Sequence, residues 1–153
     1  MNRIILLLCT LCLSVAALAA SEAEGEGSFD NDAARSWAQA CVEASGAEVL
    51  RDALQSALNS EFIEAKDGAV AVAAAEVIAA ARGRPAADLP PALSAWLEQQ
   101  SQPDIARLAP QAREALERVR DPKVSELQQE WAAQPGGKAW AARLRELGTR
   151  LGG

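Results

Sequence analysis

The sequence predicts an all-α fold, a compact bundle of six to eight short helices around one Ala-rich central helix. The first reason is residues 69–81, AVAVAAAEVIAAA, which are rich in the strongest helix former and too long for a typical strand. The second is that apolar residues recur at helical spacing on both sides of this segment. The third is that no segment convincingly alternates apolar and polar residues, as a half-buried strand would.

The central helix, about residues 69–81, carries a single polar side chain, Glu76. At 100° per residue, Val70, Val77 and Ile78 fall within one arc and Glu76 lies nearly opposite. We expect Glu76 to leave the core on a thinly covered face or to pair with an arginine of the C-terminal half. Glu76 is thus a possible buried carboxylate, and a catalytic role would require substrate-binding groups around it.

The first helix is expected to begin after Asp30-Asn31-Asp32, which suits a helix N-cap with acidic residues at the positive end of the helix dipole. A calcium loop is not expected there, because the glycine and distal glutamate of an EF-hand are missing. Trp37 and Cys41 fall on the apolar face of this helix. Cys41 is therefore interpreted as a small buried hydrophobe, with a mixed disulfide to a partner as the alternative.

Two further local features follow the first helix. Residues 45–48, Ser-Gly-Ala-Glu, read as a capping box that opens a second amphipathic helix. Phe62 and Ile63 lie in a short linking segment and are expected to be attached to the core. Residues 83–91 are rich in proline and form the expected seam of the domain.

Residues 1–19 are predicted to be a signal peptide. Arg3 provides the positive region, an apolar run follows, and Ala17-Leu18-Ala19 supplies the small residues that a signal peptidase accepts, so cleavage is expected after Ala19 or Ala20. The apolar run is short and no basic cluster follows it, which disfavours a membrane anchor and leaves no stable membrane span after cleavage. The expected location is the periplasm or the outside of the cell.

Export leaves a single mature domain. Residues 20–29 are acidic and contain glycine, and they are interpreted as a disordered leader before one helical domain at 30–153. Removing Arg3 leaves 14 basic and 21 acidic residues, which argues against nucleic acid as a partner. The charge is uneven, with a net −9 in residues 20–81 and a net +2 in residues 82–153, so the basic half either attracts the acidic half or faces an acidic partner.

The most specific local pattern is ELQQEWAAQPGGKAWAARL at residues 126–144, which predicts two helices joined by a Pro-Gly-Gly turn, with Trp131 and Trp140 facing each other. The pattern Glu-Leu, then an aromatic residue, then Pro-x-Gly-Lys, resembles a family of exported bacterial all-helical proteins of unknown function. The resemblance implies export and a helical fold. It rests on the following residues: Glu126, Leu127, Trp131, Pro135, Gly137 and Lys138.

The leading functional hypothesis is a non-catalytic interaction or accessory protein of the bacterial envelope, whose partner is another envelope protein. The chain has no histidine, so His-based catalysis and His–metal sites are excluded, and no metal, cofactor or catalytic residue is expected. The candidate binding residues are those of the hairpin, where exposed aromatics would act as hot spots: Trp131, Pro135, Gly137, Lys138 and Trp140.

The alternative is a binder of a small anionic ligand or lipid fragment, or a helical enzyme, that uses an arginine-lined cavity. Seven arginines of the C-terminal half are available for such a cavity if several of them converge. They are Arg107, Arg113, Arg118, Arg120, Arg143, Arg145 and Arg150. Arg118 and Arg120 are two residues apart and cannot share a helix face.

The export hypothesis predicts a defined mature amino terminus. Intact-mass analysis of the protein recovered from the expressing bacterium is expected to show cleavage after Ala19 or Ala20. A chain that retains residues 1–19 in all cell fractions would overturn the hypothesis.

Overall fold

The computed structural model describes residues 25–153, and in this part of the chain it forms eight α-helices. The only strand-like feature in residues 25–153 is an isolated parallel bridge between Ile63 and Ser125. The all-α prediction is therefore confirmed. The helices are α1 Asp32–Glu43, α2 Glu48–Asn59, α3 Ala65–Ala81, α4 Pro91–Glu98, α5 Gln102–Ala106, α6 Ala109–Val119, α7 Glu126–Ala132 and α8 Gly137–Leu151.

The central helix is α3, and it contacts each of the other helices within residues 25–153. Thirteen of its seventeen residues are buried, so it is covered on nearly all sides, as its alanine content allows. Val70 is the exception to the predicted arc, because it is only partly buried and lies one turn from the exposed Lys66. The bulky side chains that the core takes from the predicted arc are Val77 and Ile78.

The predicted disordered leader is wrong for residues 25–29. Ser28 and Phe29 are buried, and the backbone N–H of Gly27 donates to Asp30 Oδ2 at 2.8 Å. These contacts attach residues 25–29 to the helical domain, although their acidic, glycine-containing composition predicted no packing. Asn31 then caps α1 as expected, its Oδ1 accepting from the N–H of Ala34 at 2.8 Å. The predicted signal peptide and residues 20–24 lie outside the described residues.

The Pro-rich seam is a loop that is attached to α8. Arg84 Nη1 donates to the carbonyl oxygen of Gly152 at 2.7 Å, and Arg150 Nη1 donates back to the carbonyl oxygen of Arg84 at 3.1 Å. Arg143 on α8 also pairs with Asp88 in the loop at 2.5 Å. The loop therefore lies against the last helix and forms one wall of a cleft described below.

Two local predictions near α2 are wrong. The capping box at residues 45–48 does not form, because the chain turns at Gly46 with φ 78°, and α2 begins after Ala47 without a side-chain cap. Ile63 is fully buried, but Phe62 is 47% exposed, since the backbone pairing with the segment around Ser125 directs the two neighbouring side chains oppositely. None of the helices described within residues 25–153 is long and apolar enough to span a bilayer.

Candidate functional sites

The carboxylate of Glu76 joins three distant parts of the chain. Its residue is only 3% exposed, although it belongs to the apolar helix α3. The hydroxyl of Ser28 donates to Oε1 at 2.9 Å, and Arg150 Nη2 of α8 lies 2.8 Å from Oε2. The second contact is an ion pair without well-aligned hydrogen-bond geometry. The structure thus gives Glu76 one neutral and one cationic partner.

Arg150 is itself held in place from several sides. Its Nε donates to both carboxylate oxygens of Glu146, at 2.7 and 2.9 Å. Burial by itself would lower the pKa of Arg150, but the hydrogen bond to Glu146 and the charge of Glu76 outweigh it, so the pKa is raised. Arg150 therefore stays charged at all ordinary pH values.

A cleft of about 550 Å³ lies above Glu76, between the Pro-rich loop and α8. Both of its arginines are already paired, Arg150 with Glu76 and Glu146 and Arg143 with Asp88. Three carboxylates face two guanidinium groups, so the side chains of this cleft do not favour an anion. The lining residues are Glu76, Pro85, Ala86, Ala87, Asp88, Ala142, Arg143, Glu146 and Arg150.

The lone described thiol, Cys41, is fully buried on α1. Burial raises the pKa of Cys41 from 9.0 to about 12, because a thiolate would lose its hydration. Since the folded state then holds this proton more tightly than the unfolded chain, the thiol's contribution to stability is lost as the pH rises from about 9 to 12. In this conformation Cys41 is a core residue that a partner's thiol does not reach.

The predicted hairpin is formed by α7 and α8. Trp131 and Trp140 stack across it, with ring centroids 5.5 Å apart and ring planes inclined by 13°. The two residues are only 3% and 4% exposed, so neither ring is available as an exposed aromatic hot spot. Each buries a large apolar ring against the core, and the pair holds the two helices together.

Gly137 is required by the close approach of α7 and α8. A Cβ atom built on this residue would lie 2.2 Å from the carbonyl oxygen of Trp131. No side chain fits at that distance without movement of the backbone. The glycine of the Pro-x-Gly pattern is therefore explained by packing, because the tight turn beside the stacked tryptophans leaves no room for a side chain.

Three of the five predicted hairpin residues do lie together on the surface. Pro135, Gly137 and Lys138 line an open depression of about 460 Å³, which we call the hairpin groove. Its other lining residues are Ala132, Gln134 and Ala141. Lys138 is exposed, and no acidic residue within 25–153 forms an ion pair with it. The groove is thus mostly apolar with one available positive charge.

The arginines of the C-terminal half lie in several separate surroundings. Arg118 donates to the carbonyl oxygens of Ala57 and Ser60 at the end of α2, and Arg107 pairs with Asp104. Arg118 and Arg120 point to different surroundings, as their spacing predicts. Arg120 lines a second open depression, of about 440 Å³, between α6 and α8. Arg113 and Arg145 line the same depression, which we call the arginine groove.

Sequence reasoning missed two features of these sites. One is the role of Ser28, whose acidic, glycine-containing surroundings suggested disorder, although Phe29, Asp30 and Asn31 directly after it were a signal of packing and capping. The other is the convergence of Arg113, Arg120 and Arg145. Arg113 and Arg120 are seven residues apart and share a helix face, a signal that was available, but the arrival of Arg145 depends on how α8 crosses α6.

Replacing Gly137 by alanine is expected to lower the free energy of unfolding by about 1–3 kcal/mol, because the new methyl group meets the Trp131 carbonyl. Gly148 on the same helix is the matched control, since a Cβ there has open space. Gly148→Ala is expected to raise stability by about 0.5–1 kcal/mol, the ordinary gain for a helix interior. Urea unfolding followed by tryptophan fluorescence measures both, and equal effects would contradict the close approach.

Replacing Arg150 by methionine is expected to lower the free energy of unfolding by about 2–4 kcal/mol, because the buried carboxyl group of Glu76 would lose its cationic partner. Arg107→Met is the control, since it breaks an exposed pair with Asp104 and is expected to cost under about 1 kcal/mol. The double variant Glu76→Gln, Arg150→Met should recover part of the loss, with a coupling of about 1–3 kcal/mol in urea unfolding. Additive losses would show that the two residues do not interact.

The chain matches a protein family of unknown function along most of its length. No curated protein and no solved structure matches it significantly. The family described as a domain of unknown function, DUF4259, matches residues 23–143, which include Ser28, Glu76 and the α7–α8 turn. Because this match spans most of the sequence, the chain belongs to the DUF4259 family.

Proposed function

We propose that this protein is exported to the bacterial envelope and acts there, without catalysing a reaction, by binding another envelope protein through the hairpin groove. The observation that carries the proposal is the position of Pro135, Gly137 and Lys138 along one open surface. The partner's contact segment is apolar and carries an acidic residue that meets Lys138.

The construction of the α7–α8 hairpin supports a binding role. The stacked Trp131 and Trp140 hold the two helices beneath the groove, and the turn at Gly137 packs against the carbonyl of Trp131. A surface that is ordered before contact loses little conformational entropy on binding. The buried tryptophans therefore contribute by supporting the groove and not by touching the partner.

Glu76 and Cys41 carry the side chains that could have served catalysis, but both are engaged in holding the fold together. The carboxylate of Glu76 is held by Ser28 and Arg150, and the thiol of Cys41 is fully buried with a raised pKa. A general base or nucleophile needs access to its substrate. Their placement supports binding over catalysis.

The expected signal peptide supports the cellular part of the proposal, because residues 1–19 combine Arg3, an apolar run and a small-residue cleavage site. The partner is then a protein that shares the periplasm or the cell surface.

The proposal is tested by site-specific photocrosslinking in the expressing bacterium. A photoreactive residue at position 132, which is exposed and lines the groove while leaving Lys138 in place, is expected to give one dominant adduct, which disappears when the groove is filled by Ala141→Trp. Ala139→Trp on the same helix is the control, because Ala139 is exposed and does not line the groove. Its adduct yield should match that of the unfilled protein. Loss of the adduct in both variants, or no adduct from a folded, exported protein, would overturn the proposal.

A further inference from the structure

The arginine groove lies between α6 and α8 and shares no lining residue with the hairpin groove. Arg113 comes from α6, Arg120 is the residue that directly follows this helix, and Arg145 comes from α8. Leu116 and Leu144 are buried and form its apolar part. Two packed helices therefore present three guanidinium groups to a single depression of about 440 Å³.

The charge of this depression is opposite to that of the protein as a whole, which is −6. Glu117 is the only acidic side chain among the lining residues, and its side chain is 75% exposed in a pair with Arg120 at 3.3 Å. The three arginines therefore outnumber the one acidic side chain of the groove. An exposed pair of this kind contributes little to stability, so Arg120 is available to another anion.

Arg113 and Arg145 are not needed for the described fold. Neither forms an ion pair with an acidic residue within 25–153, and both are exposed. This separates them from Arg118, which satisfies carbonyl oxygens of α2, and from Arg150, which neutralises Glu76. Charges of like sign that face one groove repel each other, and a bound anion removes that repulsion.

We propose that the arginine groove binds a phosphoryl group. A phosphate monoester carries close to two negative charges at neutral pH and has three acceptor oxygens. Arginine presents a planar fork of donors that matches these oxygens, and the charge-assisted hydrogen bonds are short and strong. The three guanidinium groups of the groove supply enough donors for all three of these oxygens. The bound group belongs either to a soluble phosphate ester or to the head group of an anionic lipid.

Binding is tested on the full mature chain by isothermal titration with inorganic phosphate and with glycerol phosphate, at constant ionic strength. Saturable binding is expected, and the variant Arg113→Ala, Arg145→Ala should bind at least about tenfold more weakly, because two charge-assisted contacts are lost. Arg107→Ala is the control, since Arg107 is an exposed arginine of the same half outside the groove. It should bind within about twofold of the unchanged protein.

The source of the phosphoryl group is identified by cosedimentation with phosphatidylcholine vesicles that contain phosphatidic acid. Binding of glycerol phosphate with no vesicle binding assigns a soluble ester, and vesicle binding that depends on Arg113 and Arg145 assigns a lipid head group. Absence of saturable binding to phosphate, glycerol phosphate and vesicles would overturn the proposal. Equal weakening by Arg107→Ala would overturn it as well, because it would show general charge attraction. These outcomes do not depend on a protein partner at the hairpin groove.

Discussion

The buried carboxylate of Glu76 imposes the strongest constraint on this structure. A charge inside an apolar helix is tolerated only when hydrogen bonds and an opposite charge compensate for its lost hydration. Here the compensation comes from Ser28 before α1 and from Arg150 in the last turn of α8. The two ends of the described chain are therefore required to meet at the middle of the central helix, and the Pro-rich loop is drawn against α8 by the same arginine.

The α7–α8 hairpin meets a second constraint, which is steric. The stacking of Trp131 on Trp140 brings the two helices so close that only glycine fits at position 137. A pattern that looked like a binding motif is explained first by packing. The residues left free by that packing, Pro135 and Lys138, lie on the outside of the turn and carry the proposed contact. Within this short sequence, Trp131, Gly137 and Trp140 therefore stabilise the hairpin, whereas Pro135 and Lys138 are the residues proposed to bind the partner.

The sequence predicted the helical class, the central helix and the hairpin because each depends on a local pattern. Alanine content, apolar spacing and the Pro-Gly-Gly turn act over a few residues and need no knowledge of distant contacts. The exposure of Phe62 and the loss of the capping box depend instead on contacts with Val124 and Gln100, more than fifty residues away in the chain. The ordered segment at 25–29 depends on Glu76 in the same way.

The candidate sites likewise combine features that local patterns predict with features that depend on distant contacts. An arginine partner for Glu76 was one expectation from the sequence, but not which arginine, because the choice depends on the rotation of α8 about its axis. That rotation turns Arg150 toward α3 and Arg145 toward α6, and it leaves Lys138 on the hairpin groove. One helix therefore supplies a cation to each of three separate surroundings. The rotation of α8 about its axis could not be predicted from the spacing of its residues in the sequence.

The pairing of Glu76 with Arg150 also has a consequence for the order in which the protein matures. The carboxylate is synthesised near the middle of the chain, whereas its counterion arrives only in the last turn of α8. Before that turn is present, closing the helices around α3 would bury the carboxyl group of Glu76 without its cationic partner, which disfavours the compact form of a shorter chain.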